Sequence, residues 1–191
     1  MGHSLSWIAF KGPPLEAGLE SLGLSRSGVL GEWGRKSLTG HALPNAWHLV
    51  IAPRCNHPLV SDANLAVLST VAEVIACCVE EHVMFSSAQM WSHGQRVWRV
   101  EHDAQLSRRH LVATGQMSAS YTLALQQAQA QQDAEDRGPQ EVDFYFDVPL
   151  QVAQDITGFK HDEANLALDG TPFEVYAPVG GGTRRWWEVW K

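Results

Sequence analysis

Basic side chains are scarce in this sequence, and cysteines are scarcer still. Lys and Arg total 14 against 21 Asp and Glu, a formal net charge of -7. A field of that sign repels phosphate backbones and attracts cationic surfaces, so nucleic acid is excluded as an expected ligand and a basic protein is favoured. The three cysteines, Cys55, Cys77 and Cys78, cannot all pair within one chain. Neighbours in a strand point to opposite faces, so Cys77 and Cys78 read as buried, inert strand residues rather than a redox pair. Apolar runs are short as well. None approaches the ~18 residues that would cross a bilayer, and MGHSLSWIAFKGPP lacks a basic segment followed by a long apolar one, so a cytoplasmic protein without a membrane partner is expected. Motifs of catalysis are missing too. There is no HExxH, no Cys-x-x-Cys and no Gly-x-Ser-x-Gly, and Gly180-Gly181-Gly182-Thr183 lacks the Gly-Lys-Ser/Thr ending of a phosphate loop.

What the chain does contain is the composition of a globular domain, 45% hydrophobic and 18% charged over 191 residues. The expectation is an α+β fold over residues 1–191, mainly an antiparallel sheet with helices packed on one face. SWIAFK alternates as a strand that Gly12-Pro13-Pro14 stops, and Leu15, Leu19 and Leu22 recur at helical spacing. The glycines from Gly23 to Gly40 predict a loop-rich hairpin, and WHLVIA, bounded by Pro44 and Pro53, a central strand. Ser61 and Asp62 offer an N-cap to a second helix of about three turns. LALQQAQAQQDAEDR predicts a polar surface helix ended by Gly138-Pro139. VDFYFDV reads as an aromatic strand, followed by a helix with Pro149 in its first turn and Gly158 as its stop. DGTPFEVYAP holds another strand, segment 178–183 reads as a flexible glycine run, and RRWWEVWK as a terminal strand or an oligomer contact.

The stretch from Cys77 to Asp103 concentrates the polar chemistry. Read as one strand from Val74 to Met90, it turns at His93-Gly94, a dipeptide suited to positive φ, into a second strand. With residue 92 opposite 95, Phe85 faces His102 and Ser86 faces Glu101. Glu80, His82, Glu101 and Asp103 then share one face, which becomes acidic. His and carboxylate ligands suit zinc or manganese, so a small metal-dependent hydrolase built on these four residues is the alternative to a partner-facing surface. The spacing demands no metal, and no cofactor is expected. His161-Asp162-Glu163, after the helix stop, offers a base with carboxylates but equally an ordinary polar loop.

The layout of SWIAFKG before a Leu-rich helix, the central EEHVMFSS…W…G..VW.V.HD and FYFDVPLQVAQDITGFKHDE resembles bacterial immunity proteins found beside secreted polymorphic toxins. That resemblance implies a non-enzymatic inhibitor that binds and occludes a cognate, basic toxin domain. The docking residues on this reading are Glu80, Glu81, His82, Trp91, Arg99, Glu101 and Asp103.

Overall fold

The computed structural model describes residues 2–31, 36–138, 142–163 and 172–179. The Trp-rich tail and 180–183 of the expected glycine segment lie outside the described residues. Among the described residues nine antiparallel strands form one sheet: β1 (Ser4–Lys11), β2 (Leu24–Gly31), β3 (Leu38–Ala42), β4 (His48–Pro53), β5 (Glu73–Glu80), β6 (Phe85–Ser92), β7 (Gln95–Asp103), β8 (Val112–Gly115) and β9 (Phe173–Pro178). Their spatial order is β2-β9-β3-β4-β1-β5-β6-β7-β8. Four α-helices accompany them: α1 (Leu15–Ser21), α2 (Asp62–Leu68), α3 (Ala119–Glu135) and α4 (Asp147–Thr157). None of the described helices is long and apolar enough to cross a membrane.

The α+β class holds, but helices lie on both faces of the sheet rather than one. β1 occupies the middle and is buried on both sides, which is why its sequence is nearly continuously apolar. Leu5, Trp7 and Ala9 join Leu49, Ile51, Ile75, Cys77 and the apolar side of α4 in one core. Ile8 and Phe10 join Val50, Val74, Ala76, Leu19 of α1 and Leu65 and Leu68 of α2 in the other. Gly18 allows α1 to approach, since a Cβ there would stand 2.1 Å from the Phe10 ring.

Other local expectations resolve in both directions. The glycine-rich region supplies β2 and β3, but β9 inserts between them, so they are not a hairpin. The second helix is seven residues long, and Ser61 precedes it without a side-chain capping bond. VDFYFDV is not a strand. Asp143 Oδ1 accepts hydrogen bonds from the N–H groups of Tyr145 (3.1 Å) and Phe146 (3.2 Å), winding this segment into the turn that enters α4. Such local side-chain bonds outcompete strand propensity. Pro149 lies in the first turn of α4, and Gly158 ends it at φ 75°.

The polar helix α3 stacks on the outside of α4, using Ala124, Ala128 and Gln132. Gln132 is fully buried yet satisfied: its amide donates to Asp136 and the Val142 carbonyl and accepts from the Phe144 N–H. α3 therefore lies on the same side as α4, while on the opposite side α2 reaches β5 and the Trp91 end of β6.

Candidate docking face

Strands β5 to β8 form the half of the sheet where the two sides differ most. β5 and β6 are separate strands, joined by the turn Glu81–Met84, so the single strand expected from Val74 to Met90 is broken. Positive φ at Met84 (51°) belongs to that reversal. The next reversal falls at His93-Gly94, with φ 52° and 75°, the pair of left-handed residues a two-residue hairpin needs. Between Trp91 and Met90 the register shifts: Trp91 faces Arg96, but Met90 faces Trp98, which leaves Val97 as a bulge residue. Phe85 therefore faces Asp103 and Ser87 faces Glu101, one position away from the expected pairing.

One side of these strands is dry. Ala88, Trp98 and Val100 pack under α4, and Ser86 donates a 2.6 Å hydrogen bond to the Phe146 carbonyl. His102, with no exposed side-chain area, has Nδ1 2.7 Å from the His110 carbonyl and Nε2 2.9 Å from Asp143 Oδ2. Both ring nitrogens thus have a hydrogen-bonding partner sealed from water. The pair fastens β7 to the entrance of α4.

The other side is wet towards β8. Glu80, Phe85, Ser87, Gln89, Arg99, Glu101 and Asp103 face it, followed by the exposed Val112 and Thr114 of the edge strand. Glu80, Glu101 and Asp103 therefore do share a face. Glu80 accepts from the Ser4 hydroxyl and pairs with His82 at 2.7 Å, and these hydrogen bonds, Ser4's first, hold its carboxyl below the usual range. Arg99 pairs with Glu101, and Asp103 accepts from the Gln105 N–H at 2.9 Å. Three carboxylates against one guanidinium leave the face acidic. At one end of it the side chains of Val83, Leu106 and Val112 are exposed.

The remaining expected docking residues sit differently. Trp91 is 7% exposed in the core beside α2, with Arg96 over its ring and its indole N–H donating to Gln89. It is not a surface anchor. Glu81 turns inward, accepting from the His3 N–H at 2.6 Å and facing His161 Nε2 at 2.9 Å. Burial pushes its carboxyl up, but the His161 and His3 hydrogen bonds outweigh that and lower it. His82 stays exposed in the turn. His161 itself is buried, while Lys160 bridges Asp147 (3.1 Å) and Asp162 (3.3 Å), so this segment clasps the end of α4 to the sheet. Among the described residues no group of three or more His, Cys, Asp and Glu is placed to hold a metal ion.

A thiol cluster at the inner edge of the face escaped the sequence reading. Cys78 lies on the same side of β5 as Glu80, and Cys55 reaches it from the loop after β4. Positive φ at Arg54 (76°) and Asn56 (52°) folds that loop back across β1. There the Cys55 N–H donates to Ser4 Oγ (3.1 Å), the His57 N–H donates to Ser6 Oγ (3.2 Å), and Ser6 Oγ lies 3.6 Å from Cys78 Sγ. The interaction with Cys55 first, then Ser6, the Asn56 N–H and Ser87, pulls the Cys78 thiol down against burial. The same coupling and burial push Cys55 up. No family model, curated protein or solved structure matches the chain.

Proposed function

We propose that the protein is a stoichiometric binding protein, which captures a basic protein domain on the open face of β6–β8 in the manner of an immunity protein masking a toxin. The observation that carries this reading is the gathering of Glu80, Glu101 and Asp103, all partly exposed, on one sheet face, while the reverse of the same strands is sealed by α4. The overall charge of -7 has the sign that steers a cationic partner. Exposed Val83, Leu106 and Val112 offer apolar contact beside the charges. Because Glu101 and Asp103 are half-exposed rather than structural, they can be reversed without emptying the core.

The test is co-purification from the native source at moderate salt, run in parallel with wild type and a Glu101→Lys/Asp103→Lys double variant. A basic partner retained by the wild type and lost by the variant is the expected result. Equal retention by both removes this face from the reading. The hydrolase alternative has no observation in its favour, since Glu80 and Glu101 are already engaged by Ser4, His82 and Arg99.

A further inference from the structure

We infer that the partner adds an extended, basic strand to the outer edge of β8, antiparallel to it, and lays alternate Lys or Arg side chains across the acidic side of the sheet. This rests on the capture of a basic protein proposed above and says how that protein is held. β8 is an outer strand of the sheet, and all four of its residues are exposed. The phase of its hydrogen bonds is fixed at one end, where the Gln116 N–H donates to the Val97 carbonyl at 3.1 Å. Bonded and non-bonded pairs alternate along an antiparallel ladder, so the pairs that exchange bonds are Thr114 with Arg99 and Val112 with Glu101. Ala113, between them, turns its N–H and C=O away from β7, and among the described residues neither group has a partner.

The surroundings of that edge select the charge of the added strand. Val112 and Thr114 share a side with Glu101 and Arg99. An added residue beside Val112 stands about two strand spacings from Glu101, ~9–10 Å, a gap that a Lys or Arg side chain and a Glu side chain close between them. Asp103 follows on the same side, and the exposed Val83, Leu106 and Val112 offer apolar contact to the stems of the basic side chains. A second copy does not fit this edge, because it brings another uncharged Val-Ala-Thr-Gly strand and a further net charge of -7. The other outer strand, β2, is a worse template: its pairing shifts between Arg26 and Leu30, around Gly28 at φ 75°.

The probes are three capped peptides that alternate Lys with Val and carry equal charge: one unmodified, one N-methylated at its Val residues and one N-methylated at its Lys residues. With Lys on the acidic side, the Val amides are the ones that meet Ala113, and the Lys amides point away. The unmodified and Lys-methylated peptides should slow hydrogen exchange at the Ala113 amide. Methylation at Val should lower affinity at least about tenfold, and so should Ala113→Pro. That variant keeps its fold because the Ala113 N–H serves no bond of the ladder, which unchanged exchange in β1 and β5 verifies. Glu101→Lys/Asp103→Lys should also lose affinity for the unmodified peptide. Equal affinity for all three peptides would overturn the strand addition while leaving capture by charge standing. So would protection of β2 amides in place of β8, a wild-type dimer that Ala113→Pro dissolves, or no binding of the unmodified peptide. Undiminished binding by Glu101→Lys/Asp103→Lys would instead remove the acidic face, and with it both this inference and the reading it rests on.

Discussion

The two sides of the β6–β7 hairpin are built from alternating residues of the same short sequence, yet they carry opposite chemistry. Trp98, Val100 and His102 face α4 and are buried; Arg99, Glu101 and Asp103, interleaved with them, face the other way and bond to neighbours on their own surface. The dry side is held by a buried His102–Asp143 pair and an apolar helix, the wet side by exposed ion pairs. The lesson is energetic as well as geometric. A hydrogen-bonded pair sealed from water cannot lose one partner cheaply, whereas exposed pairs contribute roughly 0–1 kcal/mol and leave the surface free to change.

The largest expected effect is on the dry side. His102→Ala leaves buried Asp143 without this partner and opens a cavity at the entrance of α4, so it should cost about 3–5 kcal/mol in urea unfolding. Trp98→Ala should cost a similar ~3–5 kcal/mol by opening a cavity under α4, while Arg99→Ala, one residue along the same strand, should stay within about 1 kcal/mol. Equal costs for these neighbours would contradict the two-sided description. Next in size comes the bulge. Gly115 of β8 lies at φ 87° where a Cβ would stand 2.1 Å from the Val97 carbonyl oxygen. Gly115→Ala should therefore cost about 1–3 kcal/mol and expose the amides of β7 to hydrogen exchange.

A smaller, pH-dependent effect tests the thiol end of the wet side. His57 is held below its ordinary 6.5, at about 4, by burial and by the nearby Arg54 charge. Below 6.5 the unfolded chain takes up a proton that the folded one refuses until about 4, so stability present above 6.5 declines as pH falls through that window. His57→Gln should flatten that part of the stability profile. An unchanged slope in the variant would assign the acid sensitivity elsewhere.

Much of the framework could be read from the residues. The strand His48–Pro53, which lies beside the middle strand rather than in its place, the turn at His93-Gly94, the α4 stop at Gly158 with Pro149 in its first turn, and the shared face of Glu80, Glu101 and Asp103 all followed from pattern. The last of these was reached by a route the structure corrects twice. Breaking Val74–Met90 at the Glu81–Met84 turn shifts Glu80 from the side of Ser86 to that of Phe85, and the Val97 bulge shifts Glu101 and Asp103 by the same single step. Because strand side chains alternate with period two, the two slips cancel. Neither the bulge nor the partners of Glu81 could be seen, because both depend on contacts distant in sequence: β8 beside β7, and His161 beside the turn. Trp91 looked like an anchor by residue type alone, and only the approach of α2 and Arg96 makes it core. The return of Cys55 over β1 was hidden for the same reason, since a loop with positive φ at two non-glycine residues leaves no periodic signal.

The proposed docking site for a basic partner is the wet side of β6–β8. It is tested most directly by measuring the affinity of the co-purified partner for wild type and for Glu101→Lys/Asp103→Lys at several salt concentrations. The expected result is an unfolding midpoint close to wild type together with a loss of affinity of at least about tenfold, roughly 1.4 kcal/mol, that shrinks as salt rises. Equal affinity and equal salt dependence in a correctly folded double variant would contradict it.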